Sequence, residues 1–165
     1  MRKILGVLAL MCMFTSNAYA TNWHNMSQSQ RDLTIISAGL YDYGNYGGSC
    51  KEWVRAVVLR ATGYHVWVGS NNSTQDAWLY NGSNDVDHVV KETYSITNVQ
   101  YGDIIQMYNV STGEPHTAIV VNNDGNGMTW LDSNWVATNE VGTHPVTFSY
   151  FNSKYGSRYT IYSIK

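Results

Sequence analysis

The chemistry in this 165-residue chain gathers on four positions. Cys50 follows a loop with glycines at 44, 47 and 48, His116 opens the apolar run Thr117-Ala-Ile-Val-Val121, and Asp132 and Asn134 stand two apart in Trp-Leu-Asp-Ser-Asn-Trp. A thiol, an imidazole and a carboxylate or amide make up a cysteine nucleophile's working set. The thiolate attacks, the imidazole moves the proton, and the third group holds the imidazole by its second nitrogen. A thiolate is favoured at a helix N-terminus, where unpaired N–H groups and the positive end of the dipole face it, and beside an imidazolium. A free cysteine is also a common small core hydrophobe. Its place behind a glycine-rich loop weighs against that reading here.

The elements that must position these groups follow from the patterning. Ser49 and Glu52 have the S-x-x-E spacing of a capping box, which makes Cys50 the first helical residue. Val54, Val57, Val58 and Ala61 then repeat on one buried face, and Gly63 supplies a left-handed stop. A preceding helix is predicted over 25–40, with Ser27 and Gln30 as its capping box and Leu33, Ile36 and Leu40 on one face. The polar region 69–87, near Trp67 and holding Trp78 and Tyr80, reads as irregular or weakly helical and as one wall of a cleft.

Beyond Val86 the patterns turn to strands, near 89–94, 104–110, 117–122, 128–135, 146–150 and 159–164. Asp124-Gly125-Asn126-Gly127 is a hairpin turn. That hairpin brings His116 and the 132–134 stretch to the same end of adjacent strands. Period-two alternation puts Asp132 and Asn134 on one face, so either is a candidate to hold the imidazole. Helices first and an antiparallel sheet afterwards is the α+β arrangement.

Residues 1–20 read as a secretory signal: Arg2 and Lys3, an apolar core over 4–14, and Ala18-Tyr19-Ala20 as an A-x-A cleavage site. The expected organisation is this signal followed by one domain over 21–165, periplasmic or secreted. The apolar run is short for a bilayer span. Cleavage leaves Cys50 as the one cysteine, so no internal disulfide is expected, and an unpaired thiol in an exported chain is buried, paired with another chain or kept for chemistry. Without Arg2 and Lys3 the 10 basic residues become 8 against 12 acidic ones, a formal −4. That balance gives no footprint for nucleic acid or an anionic membrane.

Taken together, a cysteine at a helix start behind a glycine-rich loop, Gly102-Asp103-Ile104-Ile105, His116 before Thr-Ala-Ile-Val-Val and Asp132-x-Asn134 resemble the papain-like amidohydrolases and peptidases of bacterial cell walls. The nearest pattern is the CHAP (cysteine, histidine-dependent amidohydrolase/peptidase) type, with the NlpC-type relatives next. The resemblance spans roughly 45–135. It implies a papain-like α+β fold, Cys50 as nucleophile, His116 as base and Asp132 or Asn134 as orienter, with no metal or organic cofactor. Asp132 stands where CHAP enzymes more often carry Glu, and Gln100-Tyr101 where the family commonly has Pro before Gly-Asp.

The expected activity is hydrolysis of amide bonds, in peptidoglycan stem peptides or at the sugar–peptide junction. The backbone N–H of Cys50 is the first oxyanion donor, with Tyr43, Asn45 or Tyr46 as candidates for a second. Trp53 and Trp135 are candidate substrate-binding walls. The competing readings are a non-catalytic glycan- or peptide-binding module and a toxin-like thiol protease acting on protein, with an inhibitor or immunity protein as a further partner class. Asp85-x-Asp87-His88 reads as a solvated turn rather than a metal fragment, and His24, His65 and His144 receive no role.

Overall fold

The computed structural model describes residues 23–63, 89–135 and 137–165. The signal segment over 1–20, the cleft wall over 69–87, Trp67, His65 and the Asp85-x-Asp87-His88 fragment lie outside the described residues.

A short 3-10 turn at Trp23–Asn25 precedes helix α1 (Gln28–Leu40). The Ser27 side chain accepts from the Gln30 N–H, and the Gln30 carboxamide accepts from the Ser27 N–H, so the expected capping box forms. Helix α2 (Cys50–Thr62) starts at the cysteine and ends at Gly63, whose φ of 77° is the left-handed stop. Ser49 is its N-cap residue, yet its side chain makes no capping bond. Glu52 is drawn instead to Arg55, one turn on, where both carboxylate oxygens lie 2.9 and 3.0 Å from one guanidinium nitrogen. The capping box expected at Cys50 is therefore absent.

Six antiparallel strands follow: β1 (Val89–Lys91), β2 (Ile104–Tyr108), β3 (Pro115–Asn123), β4 (Gly127–Ser133), β5 (Val141–Thr147) and β6 (Tyr159–Ile164), in the sheet order β1-β6-β2-β3-β4-β5. The strand expected over 146–150 is different. β5 begins at Val141 and stops at Thr147, which caps helix α3 (Phe148–Tyr155) by accepting from the Tyr150 N–H. Pro145 inside β5 is accommodated because β5 is an edge strand.

The sheet is covered on both faces, and alternation decides which residue goes where. Ile104, Ile119, Leu131, Val141 and Tyr162 pack with Val54, Val57, Val58 and Ala61 of α2 and with Ile35 of α1. Ile105, Met107, Ala118, Val120, Trp130 and Ile161 face the other way, onto Phe148, Phe151 and Tyr155 of α3. Helix α1 is locked to α2 at its end: Trp53 Nε1 and Arg60 both donate to Asp42 Oδ2 at 3.0 Å. Leu131 is wholly buried between the sheet and α1, in contact range of Gly39. Leu131→Ala is expected to lower unfolding stability by about 2–5 kcal/mol, measurable as a lower urea midpoint at unchanged slope.

Candidate active site

His116 is the second residue of β3 and Asp132 the last but one of β4, so the antiparallel pairing brings them to one end of the sheet. His116 Nε2 and Asp132 Oδ2 are 2.8 Å apart, with His116 nearly and Asp132 wholly buried. Nε2 is taken by Asp132, and Cys50 lies close enough to the imidazole for each to shift the other's protonation. Thiol, imidazole and carboxylate thus form one relay.

Two ties bring the cysteine from the α2 layer to this end of the sheet. Ser133, next to Asp132, donates its hydroxyl to the Gly48 carbonyl at 2.7 Å. The loop also pairs along β5 and the segment before it, with Gly44 N–H to Val141 O, Val141 N–H to Asn45 O and Gly47 N–H to Asn139 O at 2.9, 3.0 and 2.7 Å. Gly47 is there because nothing larger fits: a Cβ would stand 2.6 Å from both Ser133 Oγ and Val141 Cγ2.

The electrostatics follow from this packing. Burial opposes charge on His116, but the Asp132 hydrogen bond and the Cys50 contact outweigh it and lift the imidazolium pKa to about 9. Burial alone would raise the Cys50 thiol. The His116 hydrogen bond and charge, with backbone N–H groups of Thr117 and Lys51, bring it below its ordinary value of 9.0. Neither Ser49 nor Glu52 caps α2, and the backbone N–H of Lys51 in the first turn is the smallest of the influences that lower the thiol pKa. Burial lifts the Asp132 carboxyl above 3.8 against the pull of His116 and the Trp130 indole. The proton shared by the pair resides on His116.

Asn134 is not brought to the imidazole. It lies past the end of β4, exposed, at a φ of 73°, and its Oδ1 accepts from the Asn139 N–H at 2.9 Å. The alternation that placed it beside Asp132 stops with the strand at Ser133. It thereby ties itself to Asn139, whose carbonyl pairs with Gly47 in the loop before Cys50. The N–H groups of Tyr43 and Asn45 close the turn after α1, bonding Leu40 O and Asp42 O at 3.1 and 2.9 Å, so neither points to the thiol. Tyr46 is 80% exposed with its ring against Gly48. Trp53 is buried in the core and forms no cleft wall.

Trp135 does reach the site, its ring centroid 5.0 Å from that of His116. Its ring stacks on His144 at 5.0 Å and 8° and carries the Lys154 ammonium 3.9 Å from its centroid. Three residues given no role from the sequence, Trp130, His144 and Lys154, lie around the relay. Trp130 shares a strand face with Asp132, a signal the alternation carried. His144 sits directly across from Trp130 in β5, a position visible only once that strand's register is known. Among the described residues no group of three or more His, Cys, Asp or Glu is arranged to hold a metal ion. Nor is any described helix long and apolar enough to cross a membrane.

Fold and site together define an α+β protein with a buried imidazole–carboxylate pair at one end of its sheet and a cysteine heading the facing helix. Ly7917 has a similar fold: its crystal structure aligns with a TM-score of 0.59 at 13% identity, covering 84% of this chain and 63% of that one. The crystal structure of Ly7917 with the hydrolyzing product of MDP aligns at a TM-score of 0.55 and 14% identity, over 82% and 62%. This chain thus spans less than two thirds of the length of each of these two structures. No family model and no curated protein matches it.

His116 should titrate near pH 9 by NMR, losing its proton as pH rises. Because that value lies above the ordinary 6.5, the stability it contributes is full below pH 6.5 and is lost as pH rises through about 9. Asp132→Asn should lower the His116 value, whereas Asn134→Ala should leave it unchanged. Alkylation of Cys50 by iodoacetamide should have a midpoint below 9.0, and His116→Ala should move it upward. A second variant addresses the loop. Gly47→Ala should cost about 1–3 kcal/mol through overpacking and detach the loop from Ser133, seen as a lower urea midpoint together with slower Cys50 alkylation.

Proposed function

We propose that the protein is an exported, CHAP-like cysteine amidohydrolase/peptidase of papain-like fold that cleaves amide bonds in peptidoglycan. The observation that carries this reading is the Cys50–His116–Asp132 relay, in which the thiol is acidified and the imidazole made basic by one another and by a buried carboxylate. A solved protein of similar fold holds the hydrolyzing product of MDP, which supports hydrolysis of a peptidoglycan-related substrate. The signal-like segment over 1–20 is the basis for proposing export.

The Cys50 thiolate attacks the substrate carbonyl carbon, and the electron pair of the C=O bond moves to oxygen. The Cys50 N–H, at the first helical position and without an intrahelical acceptor, donates to that oxyanion. His116 gives its Nδ1 proton to the amine nitrogen as the C–N bond breaks, leaving a thioester on Cys50. Now neutral, His116 takes a proton from water, whose oxygen attacks the thioester and releases the carboxylic acid with the thiolate regenerated. Asp132 holds the ring by Nε2 throughout, leaving Nδ1 to move the proton. Two tryptophans that a stacking module would use are engaged elsewhere, Trp53 in the core and Trp135 against His144 and Lys154.

Purified protein without residues 1–20 should release new amino or carboxyl termini from isolated sacculi, and fragment masses identify the bond. Cys50→Ala should abolish release while preserving the fold. Equal sacculus binding by both forms with release by neither would establish a binding module instead. Cleavage of proteins but not sacculi would retain the thiol hydrolase and overturn the substrate.

A further inference from the structure

Beside the relay lies a buried histidine that the chemistry above does not use. His144 Nδ1 accepts the indole N–H of Trp130 at 3.0 Å and lies 3.7 Å from Asp132 Oδ2, the oxygen that binds His116. That indole N–H makes its hydrogen bond to His144, and Asp132 Oδ1 stays buried with no hydrogen-bond partner among the described residues. A ring nitrogen that accepts a hydrogen bond carries no proton, so His144 is neutral with its proton on Nε2. Nε2 is buried with no hydrogen-bond partner among the described residues, so nothing described on that side holds the ring. The ring is fixed instead by Trp130 and by stacking at 5.0 Å on Trp135, whose ring centroid is also 5.0 Å from that of His116.

We propose that His144 is a positioning residue of this site: a neutral acceptor that holds the Trp130 indole N–H away from Asp132 and so sets how strongly Asp132 holds the proton of His116. A carboxylate that receives a full indole hydrogen bond is better satisfied and draws an imidazolium less. Committing that donor to His144 keeps Asp132 basic toward His116. The surroundings keep His144 in the required form: burial, then the charges of His116 on β3 and Lys154 on α3, push its pKa down to about 3. Asp132 on β4 faces it as well, but at 3.7 Å across an unprotonated nitrogen it makes no ion pair.

The inference rests on reading Cys50 and His116 as nucleophile and base, but its test needs no substrate. In the wild-type chain, 15N-edited histidine NMR should show His144 neutral, protonated on Nε2, throughout the range in which His116 titrates. His144→Phe keeps a ring against Trp135 and removes the acceptor. The indole N–H then turns fully to Asp132, and the His116 pKa should fall by roughly 0.5–1, with the Cys50 alkylation midpoint rising in step. His144→Gln supplies an acceptor oxygen without the ring and should return His116 toward its wild-type value. A purely packing role predicts the reverse order, with Phe the milder change. The proposal is overturned if His144 carries a proton on Nδ1, or if Phe and Gln shift His116 equally or not at all. Should His144→Phe fail to fold, the wild-type tautomer and the Gln variant still decide it. Loss of sacculus cleavage by wild type would leave these readouts intact, so the two readings fail separately.

Discussion

A carboxylate with no exposed surface has to be answered by donors or by a cation, or it will not stay ionised. Asp132 is that carboxylate, and the arrangement of the site is a response to it. It sits on a central strand, where the neighbouring strand supplies an imidazole to Oδ2 at 2.8 Å, while Oδ1 has no hydrogen-bond partner among the described residues. His116 is thereby kept charged in a place that would otherwise strip its proton, and the charged ring in turn acidifies a thiol that burial would otherwise keep neutral. Each charge in the relay depends on the next. Removing one partner leaves a buried group uncompensated, so the relay is stable as a set and costly in pieces.

The thiol belongs to the opposite layer of the molecule, so the sheet and the helix have to be joined accurately at one corner. Ser133 does this with one hydroxyl, placed one residue after Asp132. Gly47 allows the two backbones to approach until no side chain fits between them. Asn134 and Asn139, both at positive φ, are tied to each other, and the Asn139 carbonyl pairs with Gly47 across the seam. The asparagine that pattern alone offered as a second orienter therefore bonds Asn139 rather than the imidazole.

Around the relay the aromatic side chains act mainly on one another. Trp130 meets His144 edge-on, Trp135 stacks on His144, and Lys154 lies over Trp135 while also accepting the company of Tyr150, to whose hydroxyl it donates at 3.1 Å. This makes a rigid wall behind His116. Exposed tyrosines are found instead on the loop before Cys50, at 41, 43 and 46.

What the sequence by itself determined are the features carried by local periodicity and local chemistry. The buried face of helix α2, Val54, Val57, Val58 and Ala61, and its end at Gly63 are legible as a 3.6-residue repeat and a left-handed stop over one short segment. Its start at Cys50 is as expected, although the capping box that pointed to it does not form. The Asp124–Gly127 turn put His116 and the 132–134 stretch at the same end of adjacent strands, but the face they share was set by a register shift between Val120 and Asn122, which brings Asp132 to the side of His116. Tertiary structure decided the rest. Between Asp132 and Asn134 the choice depended on where β4 stops, and between Glu52 capping α2 and pairing with Arg55 on a competition among side chains that spacing does not rank. The indifferent-looking His144 acquired its place because β5, carrying Pro145 along the sheet edge, pairs with β4 in a register that sets it opposite Trp130. Cross-strand and interlayer contacts join residues whose separation in the chain carries no period, and it is those contacts that turned four chemically apt residues into one connected site.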